Sequence, residues 1–416
     1  MRHGVGGCLY QSLLCLALVA ACASGARAQQ FGTIQQEFPN ASSGEVLAND
    51  KWTIVGNTEI TTGRVLPDTP FALVGDRAFY LAPKTYSYID SIVGVVTRTF
   101  DVPRSYNLRS GAIEYTIDIT SPPVAAKEAS YADTLLFTQD LILIGSVGAD
   151  TSRFNTQTRE RGTVQIHDLR SGQLLESMGP RDMFGLQTGL PCAYGQGIAS
   201  DGKYMAVTGC IQTEDRDNGD PRDFTEAWVA VYDISNPASP SRLYSRKLAE
   251  VEDWRFGAFY FATHRLQIVG TTLSARILSD ELHVDVATGD PVAPVPFGRT
   301  TDGLLIADDG RVYDVAIAPD GTTVLSQLGD IDASAIAGLA FSDGRGGNWN
   351  SPRVASSPSS VLTAGVSAAT GNAAVVSVAA DADQDGLAHQ WERVGIPYVD
   401  QQGLPKRYQL DFDGDG

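Results

Sequence analysis

The chain has 416 residues, 49 acidic and 31 basic, for a formal net charge of −18. Neutralising phosphates takes a basic face, so this charge balance excludes a nucleic-acid binder. Hydrophobic residues at 43% and charged residues at 19% exclude global disorder, and 42 Gly with 20 Pro fit a turn-rich fold rather than collagen.

In chain order the first element is a leader. Arg2 and His3 precede an apolar run over residues 9–23, broken by Tyr10, Gln11 and Ser12. The run is short for a bilayer span and is followed by Ala26-Arg27-Ala28, an A-x-A cleavage pattern. Residues 1–28 therefore read as a secretory signal peptide; a buried core helix would need a polar face that the run lacks. Val19-Ala20-Ala21-Cys22 resembles the bacterial lipobox, which implies a lipid on Cys22 and an outer-membrane tether. The two processing routes stay open, and both place the chain outside the cell or on its surface. Cleavage after Ala28 removes Cys8, Cys15 and Cys22 and leaves Cys192 and Cys210. Two cysteines in an exported chain point to a disulfide within one hairpin, around the turn Ser200-Asp201-Gly202. Two buried free thiols are the alternative.

Residues 29–345 read as all-β. Short β-branched strands such as Trp52-Thr53-Ile54-Val55, Leu141-Ile142-Leu143-Ile144, Thr163-Val164-Gln165-Ile166 and Val229-Ala230-Val231-Tyr232 alternate with turns. Several strands end in an aspartate whose side chain can bond the backbone two residues on, with Gly or Pro supplying the turn: Asp118, Asp168, Asp233 and Asp285. A second device is Asp-Gly at 201–202, 309–310 and 320–321. The aspartate spacings of 50, 65 and 52 residues predict a β-propeller of six or seven blades, with the polar stretch 213–224 as an insertion. A string of β-sandwiches is the runner-up. Val229-Ala230-Val231-Tyr232-Asp233-Ile234-Ser235-Asn236-Pro237 resembles the V-x-V-x-D-I-S-x-P outer strand and turn of exported bacterial propellers.

The propeller carries no H-E-x-x-H, no G-x-S-x-G elbow and no Walker loop. His264 and His283 are isolated from one another and read as core or surface residues. Glu252, Asp253 and Asp302 are candidate channel carboxylates, but the sequence does not place two of them face to face across a sugar. Trp254, Phe256, Phe259, Tyr260 and Phe261 read as a packed inner strand rather than a stacking platform. The acidic stretch 214–220 fails as a calcium loop, because with Gly219 in the sixth place Arg216 stands in the third, where an oxygen is required.

Residues 346–380, rich in Ser, Ala, Gly and Asn, read as the last blade strand and a linker. Then Asp381-Ala382-Asp383-Gln384-Asp385-Gly386-Leu387-Ala388-His389-Gln390-Trp391-Glu392 matches every required place of D-x-[DN]-x-[DN]-G-x5-E. Asp381, Asp383 and Asp385 would supply side-chain oxygens, Leu387 its carbonyl, His389 a water-mediated contact and Glu392 two oxygens to Ca²⁺. The carboxylates repel one another unless a cation neutralises them. No helix pattern precedes the loop, so it resembles not an EF-hand but the thrombospondin type 3-like calcium repeats of exported bacterial proteins. In those repeats a second aspartate array follows about thirty residues on; here Asp411, Asp413 and Asp415 begin it 30 residues after Asp381. This array reaches Gly416 without a closing Glu, which predicts a longer natural chain, with 381–416 as the calcium-binding segment.

The expected function is a calcium-binding, exported scaffold for binding or adhesion, with a surface polysaccharide or a protein as ligand. The alternatives are the front part of a larger secreted hydrolase, or a propeller enzyme acting on carbohydrate.

Overall fold

The computed structural model describes residues 29–42, 45–49, 51–90, 94–117, 130–138, 140–148, 163–185, 190–192, 197–212, 224–254, 265–277, 280–301, 303–339, 362–378, 396–399 and 405–408. Among them are thirty strands and one short helix, Pro180–Phe184. Seven sheets follow one another along the chain. The first is β3 (Val46–Ala48), β4 (Thr53–Val55) and β5 (Thr58–Glu59); the second is β6 (Ala72–Val74), β7 (Arg77–Asp90), β8 (Gly94–Asn107) and β9 (Ala112–Thr116). The third holds β10 (Ser130–Phe137), β11 (Leu141–Gly148), β12 (Thr163–Asp168) and β13 (Leu174–Met178). In the fourth, β14 (Leu190–Cys192) and β15 (Ile198–Ser200) both pair with β16 (Tyr204–Gln212), followed by β17 (Phe224–Asp233) and β18 (Ser241–Trp254). The fifth is β19 (Arg265–Val269), β20 (Thr272–Ile277) and β21 (Asp280–Asp285). The sixth is β22 (Gly298–Thr301), β23 (Leu304–Ala307), β24 (Arg311–Ile317) and β25 (Thr323–Ile331), and the seventh is β26 (Ile336–Leu339), β27 (Leu362–Ser367) and β28 (Ala373–Ser377).

Strands of successive sheets touch: β3 meets β6, β8 meets β10, β10 meets β15, β15 meets β19, and β19 meets β22. The ring closes where β27 and β28 meet β3. This is a seven-bladed β-propeller, and the predicted all-β architecture holds at the upper of the two expected blade numbers. Closure uses the start of the described chain. β2 (Thr33–Phe38) pairs antiparallel with β28 on the outside of the seventh blade, and β1 (Gln29–Phe31) pairs parallel with β25 on the sixth.

Each hydrophobic cluster lies between two neighbouring blades, and strand pleating divides the residues between clusters. Successive side chains point to opposite faces of a strand, and in a propeller both faces are covered. Ile142 and Ile144 therefore pack towards the second blade with Phe79 and Phe137, whereas Leu141 and Leu143 pack towards the fourth with Met205 and Val207. On β17 Val229 and Val231 join the fifth blade's Leu273 and Val284, while Ala230 and Tyr232 join the third blade's Leu143 and Val164. Leu304 and Ile306 face the seventh blade, and Leu305 and Ala307 the fifth. Continuous apolar runs such as Leu141-Ile142-Leu143-Ile144 follow from this geometry, because no residue of such a strand has a wet face.

The predicted turns form as their chemistry requires. Asp168 Oδ1 accepts from the backbone N–H of Ser171 at 2.7 Å and of Arg170 at 3.1 Å, and Gly172 at φ +70° donates back to the Asp168 carbonyl at 2.8 Å. Asp285 accepts from Ala287 and Thr288 in the same way. Gly202, Gly310 and Gly321 of the Asp-Gly turns all have positive φ. Asp118 lies outside the described residues. The turn of the second blade instead belongs to Asn107, which accepts from the backbone of Arg109 and Ser110 at 2.9 Å each. The sequence holds the signal: Asn107-Leu108-Arg109-Ser110-Gly111 repeats Asp168-Leu169-Arg170-Ser171-Gly172 with amide for acid. The string Val229 to Pro237 spans not the outermost strand but the end of β17, the third in its sheet, whose turn leads on to the outer strand β18.

Candidate functional site

The residues expected to form a calcium loop, Asp381, Asp383, Asp385, Leu387, His389 and Glu392, and the second array Asp411, Asp413 and Asp415, lie outside the described residues. What is described is the segment between them. β29 (Ile396–Val399) and β30 (Pro405–Tyr408) form an antiparallel hairpin with Ile396 opposite Tyr408 and Val399 opposite Pro405. Glu392 precedes β29 by four residues and Asp411 follows β30 by three, so in chain order both arrays attach to the open end of one hairpin. Among the described residues no group of three or more His, Cys, Asp or Glu is placed to hold a metal ion.

Cys192 and Cys210 are brought together by backbone register. β14 pairs antiparallel with β16, with Leu190 opposite Gln212, Pro191 opposite Ile211 and Cys192 opposite Cys210. The hairpin around Asp201-Gly202 is formed by β15 and β16, with Ile198 opposite Val207, and β14 is a separate strand further along the same edge. Pairing resumes at Gly197, whose carbonyl accepts from Thr208 N–H at 2.9 Å. A Cβ at Gly197 would lie 2.0 Å from Thr208 Oγ1, so the Thr208 side chain fills the space a larger residue at 197 would need.

The candidate channel carboxylates are not gathered. Glu252 and Asp253 lie on β18, the outermost strand of the fourth blade, because the chain leaves the blade on that edge; Asp302 is outside the described residues. Trp254 ends the same outer strand, which corrects its reading as part of an inner strand, while 256–261 and His264 are outside the described residues. His283 on β21 is held in place, with Nδ1 at 2.9 Å from Ser274 Oγ and Nε2 at 3.4 Å from Glu281. Beside it the Arg276 and Arg265 guanidinia lie 4.4 Å and 5.1 Å from the centre of the Phe297 ring, and Arg265 pairs with Asp308 of the sixth blade. This cluster ties the fifth blade to the sixth.

Five aspartates with perturbed ionisation are engaged in turns. The Ser171 hydroxyl holds Asp168 below the usual carboxylate range, Ser235 does so for Asp233, Thr322 for Asp320 and Ser334 for Asp332. The Arg311 side chain does the same for Asp309. Each preference for the charged form comes from hydrogen bonds within one turn.

Three tyrosines that the sequence does not single out clasp neighbouring segments. Tyr115 on β9 donates its hydroxyl to the Leu169 carbonyl in the Asp168 turn of the next blade. Tyr244 on β18 donates at 3.4 Å to the Asp285 carbonyl, again in the next blade's turn. Tyr232 donates at 2.7 Å to Met183, in the helix between the third and fourth blades. Burial pushes the Tyr115 and Tyr232 hydroxyls up to about 12 and raises Tyr244 as well, so all three remain donors at neutral pH.

No family profile matches the sequence, and no curated protein matches it. Among solved structures the chain is similar to a europium-containing methanol dehydrogenase, at 12% identity and TM-score 0.34, over 71% of this chain and 57% of that one. It is also similar to dihydro-heme d1 dehydrogenase NirN in complex with DHE, at 15% identity and TM-score 0.29, over 68% of this chain and 57% of that one. A Trypanosoma rangeli sialidase in complex with the inhibitor DANA matches at 9% identity and TM-score 0.25, over 61% of this chain and 43% of that one. The chain thus spans little more than half the length of the first two. At this distance the likenesses say nothing of activity, and the conclusion from the blades themselves is the fold: a closed seven-bladed propeller.

Proposed function

We propose that this chain is a secreted or surface-attached calcium-binding protein whose propeller is a recognition scaffold for a surface polysaccharide or a protein ligand. The observation that carries the reading is the twelve-residue stretch 381–392, where Asp, Asp, Asp, Gly and Glu stand at the first, third, fifth, sixth and twelfth places of a calcium loop. Four carboxylates at this spacing are costly in one short loop unless a hard divalent cation neutralises them, and oxygen ligands select Ca²⁺ over softer metals. Attachment of both aspartate arrays to one end of the β29–β30 hairpin supports their acting as a single calcium-organised segment. Binding rather than catalysis is supported by the use of the ionisation-perturbed aspartates, each consumed by its own turn.

The test is calorimetric titration of Ca²⁺ into the full chain and into Asp383→Ala and Glu392→Gln variants. Saturable heat in the parent, lost or weakened at least about tenfold in each variant, is the expected outcome, since each removes a ligand from the coordination shell. No heat in the parent, or equal heat in all three, overturns the reading.

A further inference from the structure

We infer that Cys192 and Cys210 form a cross-strand disulfide that pins β14 to the fourth blade, at a point where the blade's inner strand is interrupted. The argument starts from register. Cys192 stands directly opposite Cys210 in an antiparallel pair. Directly opposed residues share one face of a sheet, with Cα atoms ~4.5–5.5 Å apart, inside the roughly 4.4–6.8 Å that a disulfide spans. A shift of one residue would put the two on opposite faces and forbid the bond. The adjoining pairing of the same strand is anchored separately, where Thr208 N–H donates to the Gly197 carbonyl.

The need for a covalent tie follows from the count between the anchors. From Cys192 to Gly197 the chain advances five residues, while from Cys210 to Thr208 the partner strand advances two. β14 is therefore cut off from the hydrogen-bond ladder of β15 and holds on to β16 through three residue pairs. So short a strand is marginal by itself, and the disulfide converts it into a fixed part of the blade. Formation removes two electrons and two protons from the thiols. One thiolate attacks the disulfide of an oxidant, either an exported dithiol oxidoreductase or oxidised glutathione; the second thiolate then displaces the reduced oxidant from the mixed disulfide. The inference rests on the proposed export only for the supply of that oxidant.

The test uses the full chain expressed with its own leader. Protein recovered from outside the cytoplasm is denatured in N-ethylmaleimide without reductant, digested, and analysed by mass. The expected result is a linked peptide pair containing Cys192 and Cys210, two hydrogens lighter than the sum, with maleimide adducts on both after reduction. Maleimide on both thiols before reduction, in exported protein, overturns the inference. If the chain stays in the cytoplasm with reduced thiols, the export reading fails instead; the purified chain is then incubated with oxidised glutathione, and failure to close this bond overturns the disulfide. The backbone amides of Leu190 and Cys192 are expected to exchange hydrogen about tenfold faster in reduced than in oxidised protein, because only that strand loses its tie. Equal exchange in the two forms removes the pinning role.

Discussion

Gly172 shows how one residue serves two constraints. Its φ of +70° belongs to the region where side chains other than glycine are strained, and a Cβ there would lie 2.2 Å from the Tyr115 ring of the preceding blade. Gly289 repeats the arrangement at φ +77°, with the Tyr244 ring 3.3 Å from the same imaginary atom. Gly172→Ala is therefore expected to destabilise the protein by about 1–3 kcal/mol, through backbone strain and displacement of Tyr115. Gly202→Ala, at φ +92° with open space around it, is expected to cost only the backbone part, about 1–2 kcal/mol. Urea unfolding of the two variants separates the contributions; equal losses would show that the tyrosine contact adds nothing. The aspartate turns were legible in the sequence because Asp, Ser or Thr and Gly at fixed offsets carry their own local hydrogen bonds. The tyrosine clasps were not, because Tyr115 and its acceptor Leu169 are 54 residues apart and no local pattern links them.

At the scale of the element, the blades were readable because strand pleating leaves a mark. A run such as Leu141-Ile142-Leu143-Ile144 has no polar alternation, and the two clusters that receive its odd and even residues explain why. Blade number was harder to read, since the sixth blade replaces the aspartate turn with Asp320-Gly321 and the second replaces aspartate with Asn107. Strand β1 left no mark of its own: Gln29-Gln30-Phe31 looks like coil, yet Phe31 is 2% exposed and packs with Leu304, Ile306, Ile336 and Val376 between the sixth and seventh blades. Phe31→Ala is expected to cost about 3–5 kcal/mol, the loss for emptying a well-packed aromatic site. Denaturant unfolding with an unchanged slope and a lowered midpoint is the expected record; a loss under 1 kcal/mol would place Phe31 outside the core.

For the whole molecule, the decisive contact is the one that closes the ring. Glu37 on β2 accepts from Thr370 Oγ1 at 2.8 Å and from Asn372 Nδ2 at 3.2 Å, across 333 and 335 residues of chain. The Ser367 hydroxyl beside it makes no hydrogen bond of standard geometry, although together Ser367, Thr370 and Asn372 hold the Glu37 carboxyl below its ordinary value. Because the folded value lies below the unfolded one, the contribution is fully present above the unfolded carboxylate value of 4.5 and is lost as pH falls through the lower folded value. Glu37→Gln is thus expected to lower the melting temperature at pH 7 and to match the parent in the acid range below that window. A constant difference from pH 7 to pH 3 would show that the carboxylate charge plays no part in closure. The proposed calcium loop at 381–392 rests on sequence spacing alone, whereas ring closure left no sequence mark, since nothing in Thr33–Phe38 announces a partner in Ala373–Ser377.

The pairing of β2 with β28 also sets an order of events. The outer strand of the seventh blade is made some three hundred residues before the three strands it completes. Joining ends across 335 residues costs about 3 kcal/mol more than closing a ten-residue loop, and the blades between must form before that distance shrinks. Until then β2 is an unpaired strand and the seventh blade has an open edge, both open to pairing with other chains. The ring thus joins strands from the two ends of the propeller, and its vulnerable interval is the time needed to make the blades between them.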